Sequence, residues 1–482
     1  MWRSALTGVT VSSCAAAVSF RAGVVCRAAI APIVVLANVV ALVSVPALLA
    51  PPAAALAPPE VLVGPPPVDG PSGPQLPMKP DKGCLATGVL PQSDLSQVPQ
   101  PELMLNLKQA RTLSRGAGVT VAVLDTGVTP DPRLPHLVGG GDYVAPGGDG
   151  LSDCDAHGTL VAGIIGAAPS SADGFTGVAP DAQILSIRYR SDAFSLQQQQ
   201  NADQTFAESL EVQTLARAIT HAANLGARVI VVSVPVCVAA DAGVDQSMLA
   251  AALGYAIRTR DAVVVAGAGN SDSPGCEQNP DIDPSQPGDP RNWRYAKTIS
   301  TPGWFSSDVI SVGFTNQTGT PASNSLLGPW VSLGAPGTGI ESLGPGGASL
   351  INAVVDDGHL TPVGGASYAA AYVAGTAALL RSRFPTESAT DIIARLLGSA
   401  HAPARGVDDA VGRGIVDPVG ALGYRVPPRP PAGVDRPARL AMPPAPRPAD
   451  LRPGLVAAAV MAAVIALGAG VIGADAAIRR RR

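Results

Sequence analysis

Val119-Thr120-Val121-Ala122-Val123-Leu124-Asp125-Thr126-Gly127 is a run of apolar, β-forming residues that stops on an aspartate, a threonine and a glycine. The apolar run is continuous rather than alternating, as expected of a parallel strand covered on both faces. Asp125 falls at the C-terminal end of that strand, where open α/β sheets keep their sites. Taken alone, an aspartate before Thr-Gly is an ordinary turn residue. The pattern repeats downstream. Residues 182–187, 227–234, 262–266 and 309–314 read as strands, and 102–114, 160–167, 210–225, 248–260 and 387–397 as helices. Strands alternating with helices predict an α/β domain built on a parallel sheet.

A second stretch bears on chemistry. Gly364-Gly365-Ala366-Ser367 opens a helix of small, apolar residues that runs to about Leu380. A serine at a helix start is ordinarily a cap. This helix has almost no polar face, so it must be buried, and its glycine-led start is able to present the hydroxyl to a cleft. A serine hydroxyl needs a base, and the base needs a group that fixes its tautomer. The chain has five histidines, and His157 alone stands at the start of a buried helix, in Cys154-Asp155-Ala156-His157-Gly158-Thr159. His221 lies in an amphipathic helix, and His136, His359 and His401 lie in loops. Gly267-Ala268-Gly269-Asn270 ends another strand, and Asn270 is either a turn residue or an amide donor for an oxyanion.

Composition sets the frame. The chain has 482 residues with 53 glycines and 47 prolines, and the prolines cluster near its two ends. A net charge of −4 gives no reason to expect a nucleic-acid partner. Residues 1–57 read as an export signal cleaved near Ala57 or, because the apolar run approaches spanning length, a retained anchor. Residues 58–102 are Pro-rich and without helical or strand periodicity, which predicts an extended segment. The globular domain covers 103–423, followed by a Pro-rich linker at 424–453. Residues 454–475 are apolar enough for a transmembrane helix, and 476–482 form a basic tail. Four terminal arginines place that tail in the cytoplasm and the globular domain outside. Cys84, Cys154, Cys237 and Cys276 lie in the exported part, which suggests two disulfides with three possible connectivities. No run of residues has the spacing of metal ligands, so no metal and no cofactor is expected.

Asp, His, Asn and Ser in that order, all at strand ends or helix starts, are jointly far more specific than any one of them. The Asp-His-Ser order is that of subtilisin. Asp125-Thr126-Gly127, His157-Gly158-Thr159, Gly269-Asn270 and Gly365-Ala366-Ser367-Tyr368-Ala369 resemble the signature segments of subtilisin-like serine proteases. The layout of export signal, Pro-rich extension, protease domain, Pro-rich linker and C-terminal helix resembles the mycosins, the membrane-anchored proteases of type VII secretion systems. The segments around Cys276 and 302–308 resemble theirs as well.

The resemblance implies a subtilisin-like fold and a serine endopeptidase with Asp125, His157 and Ser367 as the triad and Asn270 in the oxyanion hole. It implies that Ser233-Val234-Pro235 pairs with the substrate backbone. It pairs Cys84 with Cys154, tying the extension to the domain as a belt, and Cys237 with Cys276 beside the cleft. Implied partners are exported protein substrates and the membrane components of the secretion system, on the outer side of the cell membrane. The rival expectation is a weakly active or inactive structural component of that complex. An esterase is disfavoured, since no Gly-x-Ser-x-Gly elbow surrounds Ser367. Ala366 and Ala371 stand where the family usually has threonine and often proline. Losing the threonine hydroxyl beside the nucleophile predicts reduced or more selective activity.

Overall fold

The computed structural model describes residues 56–198, 204–286, 288–347, 349–425, 460–467 and 477–480. Nearly all of the expected export signal and of the Pro-rich linker lie outside these residues. Of the expected membrane span at 454–475, residues 460–467 are described, as helix. Among the described residues no helix is long and apolar enough to cross a membrane.

Seven strands form the central sheet: β1 (Thr120–Asp125), β2 (Leu137–Asp142), β3 (Gln183–Arg188), β4 (Val229–Val232), β5 (Val263–Gly267), β6 (Ile310–Thr315) and β7 (Val331–Pro336). Their order across the sheet is β7-β6-β5-β4-β1-β3-β2, and every pairing is parallel. Successive side chains of a strand point to opposite faces. Val121 and Val123 accordingly face one core, against helices α1 (His157–Gly166) and α4 (Ala366–Arg383). Ala122 and Leu124 face the other, against α2 (Gln204–Asn224) and α3 (Ser247–Gly254). Both faces being covered, β1 is apolar throughout, which is the subtilisin-like α/β arrangement that its sequence implies.

Several elements differ from the sequence reading. The helix expected over 102–114 is two helices, Gln100–Met104 and Leu107–Leu113, because Asn106 takes a left-handed conformation (φ 50°) between them. Residues after Gly254 continue as a π-helical turn, Tyr255–Thr259. Strands β2 and β7 lie outside the expected set, because three glycines dilute the apolar signal of β2 and Ser332, Gly334 and Pro336 that of β7. Helix α5 (Ala389–Ser399) carries a reciprocal cap between Ser388 and Asp391.

The proline-rich segment lies along the domain and bonds to it repeatedly. The Leu62 N–H donates to the Ala250 carbonyl (3.0 Å), and Arg217 donates to the carbonyls of Pro71 and Gly73. Met78–Pro80 pairs antiparallel with Phe194–Leu196, and Thr87–Gly88 with Ala353–Val354. Between these pairings sits the Cys84–Cys154 disulfide, which spans 70 residues of chain. Cys237 and Cys276 form the second disulfide. Both pairings are those implied by the family resemblance. A crosslink closing a loop of this length restricts the unfolded chain, so replacing Cys84 and Cys154 together by alanine should cost about 2–4 kcal/mol. Denaturant unfolding of wild type and variant checks this figure, and coincident midpoints would contradict it.

Candidate active site

Asp125 closes β1 and is fully buried. A buried carboxylate must be met by donors, and three groups supply them. His157 Nδ1 lies 2.7 Å from Asp125 Oδ1, the Thr126 N–H donates to the same oxygen at 2.7 Å, and the Ser233 hydroxyl donates to Oδ2. Burial alone would raise the Asp125 carboxyl, but the His157 charge and these hydrogen bonds outweigh it, and its pKa lies below the ordinary value. Burial likewise works against the imidazolium of His157. The facing Asp125 charge and hydrogen bond prevail, and His157 titrates above the ordinary histidine value.

His157 is the first residue of α1, and its position is set by the backbone around it. Ala156, buried and left-handed at φ 62°, makes the turn into the helix, a conformation that non-glycine residues keep only where their surroundings impose it. Gly158 lets β1 and α1 approach: a Cβ there would sit 2.0 Å from the Gly127 carbonyl oxygen and 3.1 Å from Asp125 Oδ1. A small polar lattice holds the two segments together. The Gly158 N–H donates to Thr126 Oγ1, and Thr126 Oγ1 donates in turn to Asp153 Oδ1, both at 2.9 Å. Thr159 donates to Asp153 Oδ2 through its N–H (2.8 Å) and its hydroxyl (2.6 Å). Burial is the largest influence on Asp153 and raises its pKa to about 6.

Ser367 is the second residue of α4, and Gly365 is the residue that caps this helix, without a side-chain bond. Ser367 therefore does not serve as the cap. It is 8% exposed, and the ring of Tyr368 beside it lies 5.3 Å from the His157 ring. Asn270 follows β5, and its Oδ1 accepts the Ala366 N–H at 2.9 Å. That bond commits the carbonyl end of the amide and, among the described residues, leaves Nδ2 available as a donor. Gly365, at φ 148°, makes the room: a Cβ there would meet Asn270 Nδ2 at 2.9 Å. The Cys237–Cys276 bridge lies close by, since a Cβ on Gly269 would be 3.5 Å from Cys237 Sγ.

The structure thus brings Asp125, His157, Asn270 and Ser367 to neighbouring strand ends and helix starts on one edge of the sheet. The other histidines do not share this setting. His221 meets Asp69 at 2.9 Å, His401 is exposed near Asp417, and His136 and His359 are exposed. Of the segment expected to pair with a substrate backbone, Ser233 is turned fully inward onto Asp125, and the Val234 carbonyl accepts the Tyr189 hydroxyl. Thr126, Asp153, Thr159 and the inward role of Ser233 escaped the sequence reading. The first three stand within four residues of Asp125 or His157, which was the available signal. For Ser233 there was none, because it lies 108 residues from Asp125.

Comparisons with known proteins show the family. The profile of the subtilase family matches residues 116–414. Mycosin-3 of Mycobacterium tuberculosis is 45% identical over 418 residues, covering 85% of this chain and 90% of that protein. The crystal structure of MycP1 from Mycobacterium smegmatis superposes with a TM-score of 0.74 at 42% identity, covering 77% of this chain and 96% of that one. A chain in the structure of an intact ESX-5 inner membrane complex matches with a TM-score of 0.75 at 46% identity, over 87% of this chain and all of that one.

Replacing Thr126 by valine removes the acceptor of the Gly158 N–H and one donor to Asp153, leaving both buried groups short of a partner. The expected loss is about 1–3 kcal/mol of stability, measured by denaturant unfolding. An unchanged midpoint would mean that the lattice does not hold β1 to α1.

Proposed function

The chain belongs to the subtilase family and, within it, to the mycosins, and from that premise we propose that Asp125, His157 and Ser367 act as its catalytic triad. The chain is a subtilisin-like serine protease. In the proposed mechanism His157 takes the proton of Ser367 as the hydroxyl attacks a peptide carbonyl. Asp125 fixes the tautomer of His157 and stabilises the imidazolium as it forms. The Asn270 side-chain amide and the Ser367 backbone N–H hold the oxyanion. His157 returns its proton to the leaving amine, and water, deprotonated by the same histidine, releases the acyl group. The observation that carries this reading is the contact of His157 with the fully buried Asp125 on the same sheet edge as Asn270, whose oxygen is engaged by Ala366. Val234 and Pro235 are the proposed acyl-side contacts for an extended substrate, with Ser233 contributing through Asp125.

The relatives extend the proposal to cellular context. Solved structures similar to this chain belong to MycP1 of the ESX-1 type VII secretion system and to the ESX-5 inner membrane complex. On that likeness the protein works with membrane components of a type VII secretion system and cuts proteins exported by it. The proposed layout runs from an export signal at 1–57 and an extension at 58–102 to the protease domain at 103–423. A linker at 424–453, a membrane span at 454–475 and a cytoplasmic tail at 476–482 follow, with the protease domain outside the membrane.

A fluorophosphonate probe should label the purified wild type at Ser367 and leave Ser367→Ala unlabelled. A folded wild type that stays unlabelled would overturn the protease mechanism. The base must be neutral to act, and Asp125 raises the His157 pKa. The rising limb of kcat/KM against pH should therefore lie above the ordinary histidine value of about 6.5. Asp125→Asn should move that limb to lower pH and reduce kcat on the order of 10⁴-fold. A limb that stays in place would remove Asp125 from the mechanism.

A further inference from the structure

A cavity of about 390 Å³ opens where the extension meets the protease domain. Asp94 and Gln97 of the extension line one side, and Gln317, Glu341, Asn352 and Val363 of the domain line the other. Asn352 pins the two sides together: its Oδ1 accepts the Leu90 N–H, and its Nδ2 donates to Ser93 Oγ, both at 2.8 Å.

The place of the cavity on the sheet edge is informative. Asp125 ends β1, Ser233 follows β4, Asn270 follows β5, Gln317 follows β6, and Gly339 to Glu341 follow β7. With the order β7-β6-β5-β4-β1, the cavity lies on one side of Asn270 and Ser233-Val234-Pro235 on the other. Its wall residues Pro362 and Val363 run directly into Gly364-Gly365-Ala366-Ser367. If Val234 and Pro235 take the acyl side of a substrate, the cavity faces the residues that follow the scissile bond.

Its chemistry is one-sided. Asp94 and Glu341 line it, and among the described residues no lysine, arginine or histidine does. The neighbouring cations are already engaged. Arg133 pairs with Asp173 at 2.8 Å and donates to the carbonyls of Ala168 and Phe175, while Arg111 pairs with Glu102. Glu341 has no such partner among the described residues, and its Oε1 is buried without a hydrogen bond. A buried acceptor left unmatched is costly, and a donor from a ligand would relieve it. Burial, with the charges of Asp173, Glu102 and Asp94 against that of Arg133, raises the Glu341 carboxyl to about 7. A cation in the cavity would favour its ionised form.

We propose that this cavity, built jointly by the extension and the protease domain, is a subsite for a lysine or arginine side chain on the leaving-group side of a peptide substrate. The placement on that side rests on the protease reading above, whereas the affinity for a basic side chain does not. The extension would then be a part of substrate recognition as well as a strap.

Binding to the full-length Ser367→Ala chain tests this without requiring turnover. Three fluorescein-labelled octapeptide mixtures are used, randomised over the first five positions and ending in Lys-Lys-Lys, Ala-Ala-Ala or Glu-Glu-Glu. Fluorescence anisotropy should show the lysine mixture binding about tenfold more tightly than the alanine mixture, and the glutamate mixture most weakly. Adding Glu341→Gln should bring the lysine-to-alanine ratio to within about twofold, and Asp94→Asn should lower it in part. Asp94 is exposed, so the second variant stands if the first does not fold. Equal binding of the lysine and alanine mixtures, or a lysine advantage that survives both substitutions, would overturn the proposal. Cleavage of the same mixtures by the wild-type chain is scored separately. A lysine advantage in binding with no cleavage would count against the protease mechanism and for the cavity.

Discussion

The contact between Asp125 and His157 is what the surrounding structure exists to hold. It joins a fully buried carboxylate at the end of β1 to an imidazole at the start of α1. The aspartate is the last residue of a strand, still paired through its carbonyl to the Tyr189 N–H. The histidine is placed by a helix whose start is forced close to that strand end. The approach is possible because residue 158 has no side chain, and it is kept by Thr126, Asp153 and Thr159, whose side chains accept the N–H groups of Gly158, Thr159 and Thr129 in turn. Ser233 completes the coordination of the carboxylate from β4. Each of these groups is polar and buried, so each depends on the others to offset its loss of water.

The extension acts on this region from outside. Its disulfide ends on Cys154, next to Asp153 and three residues before His157, and the Leu85 N–H donates to the Cys154 carbonyl. Further on, it pairs with the strand Ala353–Asp356, whose partner His359–Pro362 leads to the Ser367 segment. One segment of little intrinsic structure thus touches the approaches to both His157 and Ser367. Its prolines suit that role, since a chain already restricted in φ loses less freedom when it is laid along a surface.

Much of this was legible in the amino-acid sequence, for identifiable reasons. Strands buried on both faces write themselves as unbroken apolar runs, so β1, β3, β4, β5 and β6 stood out. β2 did not, because Gly139, Gly140 and Gly141 occupy half of it. Ser367, His157, Asp125 and Asn270 stand out because each sits at a boundary between an apolar run and a glycine. What was hidden is what depends on contacts distant in the chain. The Ser233 hydroxyl serves Asp125, the Val234 carbonyl is held by Tyr189, and Glu341 and Asp94 share a cavity, without any local pattern to mark them. Ala366 was read as a missing hydroxyl. In the structure its backbone N–H, which any residue would supply, is the group that orients Asn270.

The central claim is that a fully buried Asp125 carboxylate holds His157 through a short bond to Nδ1. Proton NMR of the full-length chain observes that bond directly. A proton shared between Nδ1 and a buried carboxylate should resonate far downfield of ordinary imidazole N–H signals. It should exchange slowly enough to be seen, and it should vanish in Asp125→Asn while the rest of the spectrum is kept. A wild-type spectrum without that resonance, or one in which it survives Asp125→Asn, would contradict the account.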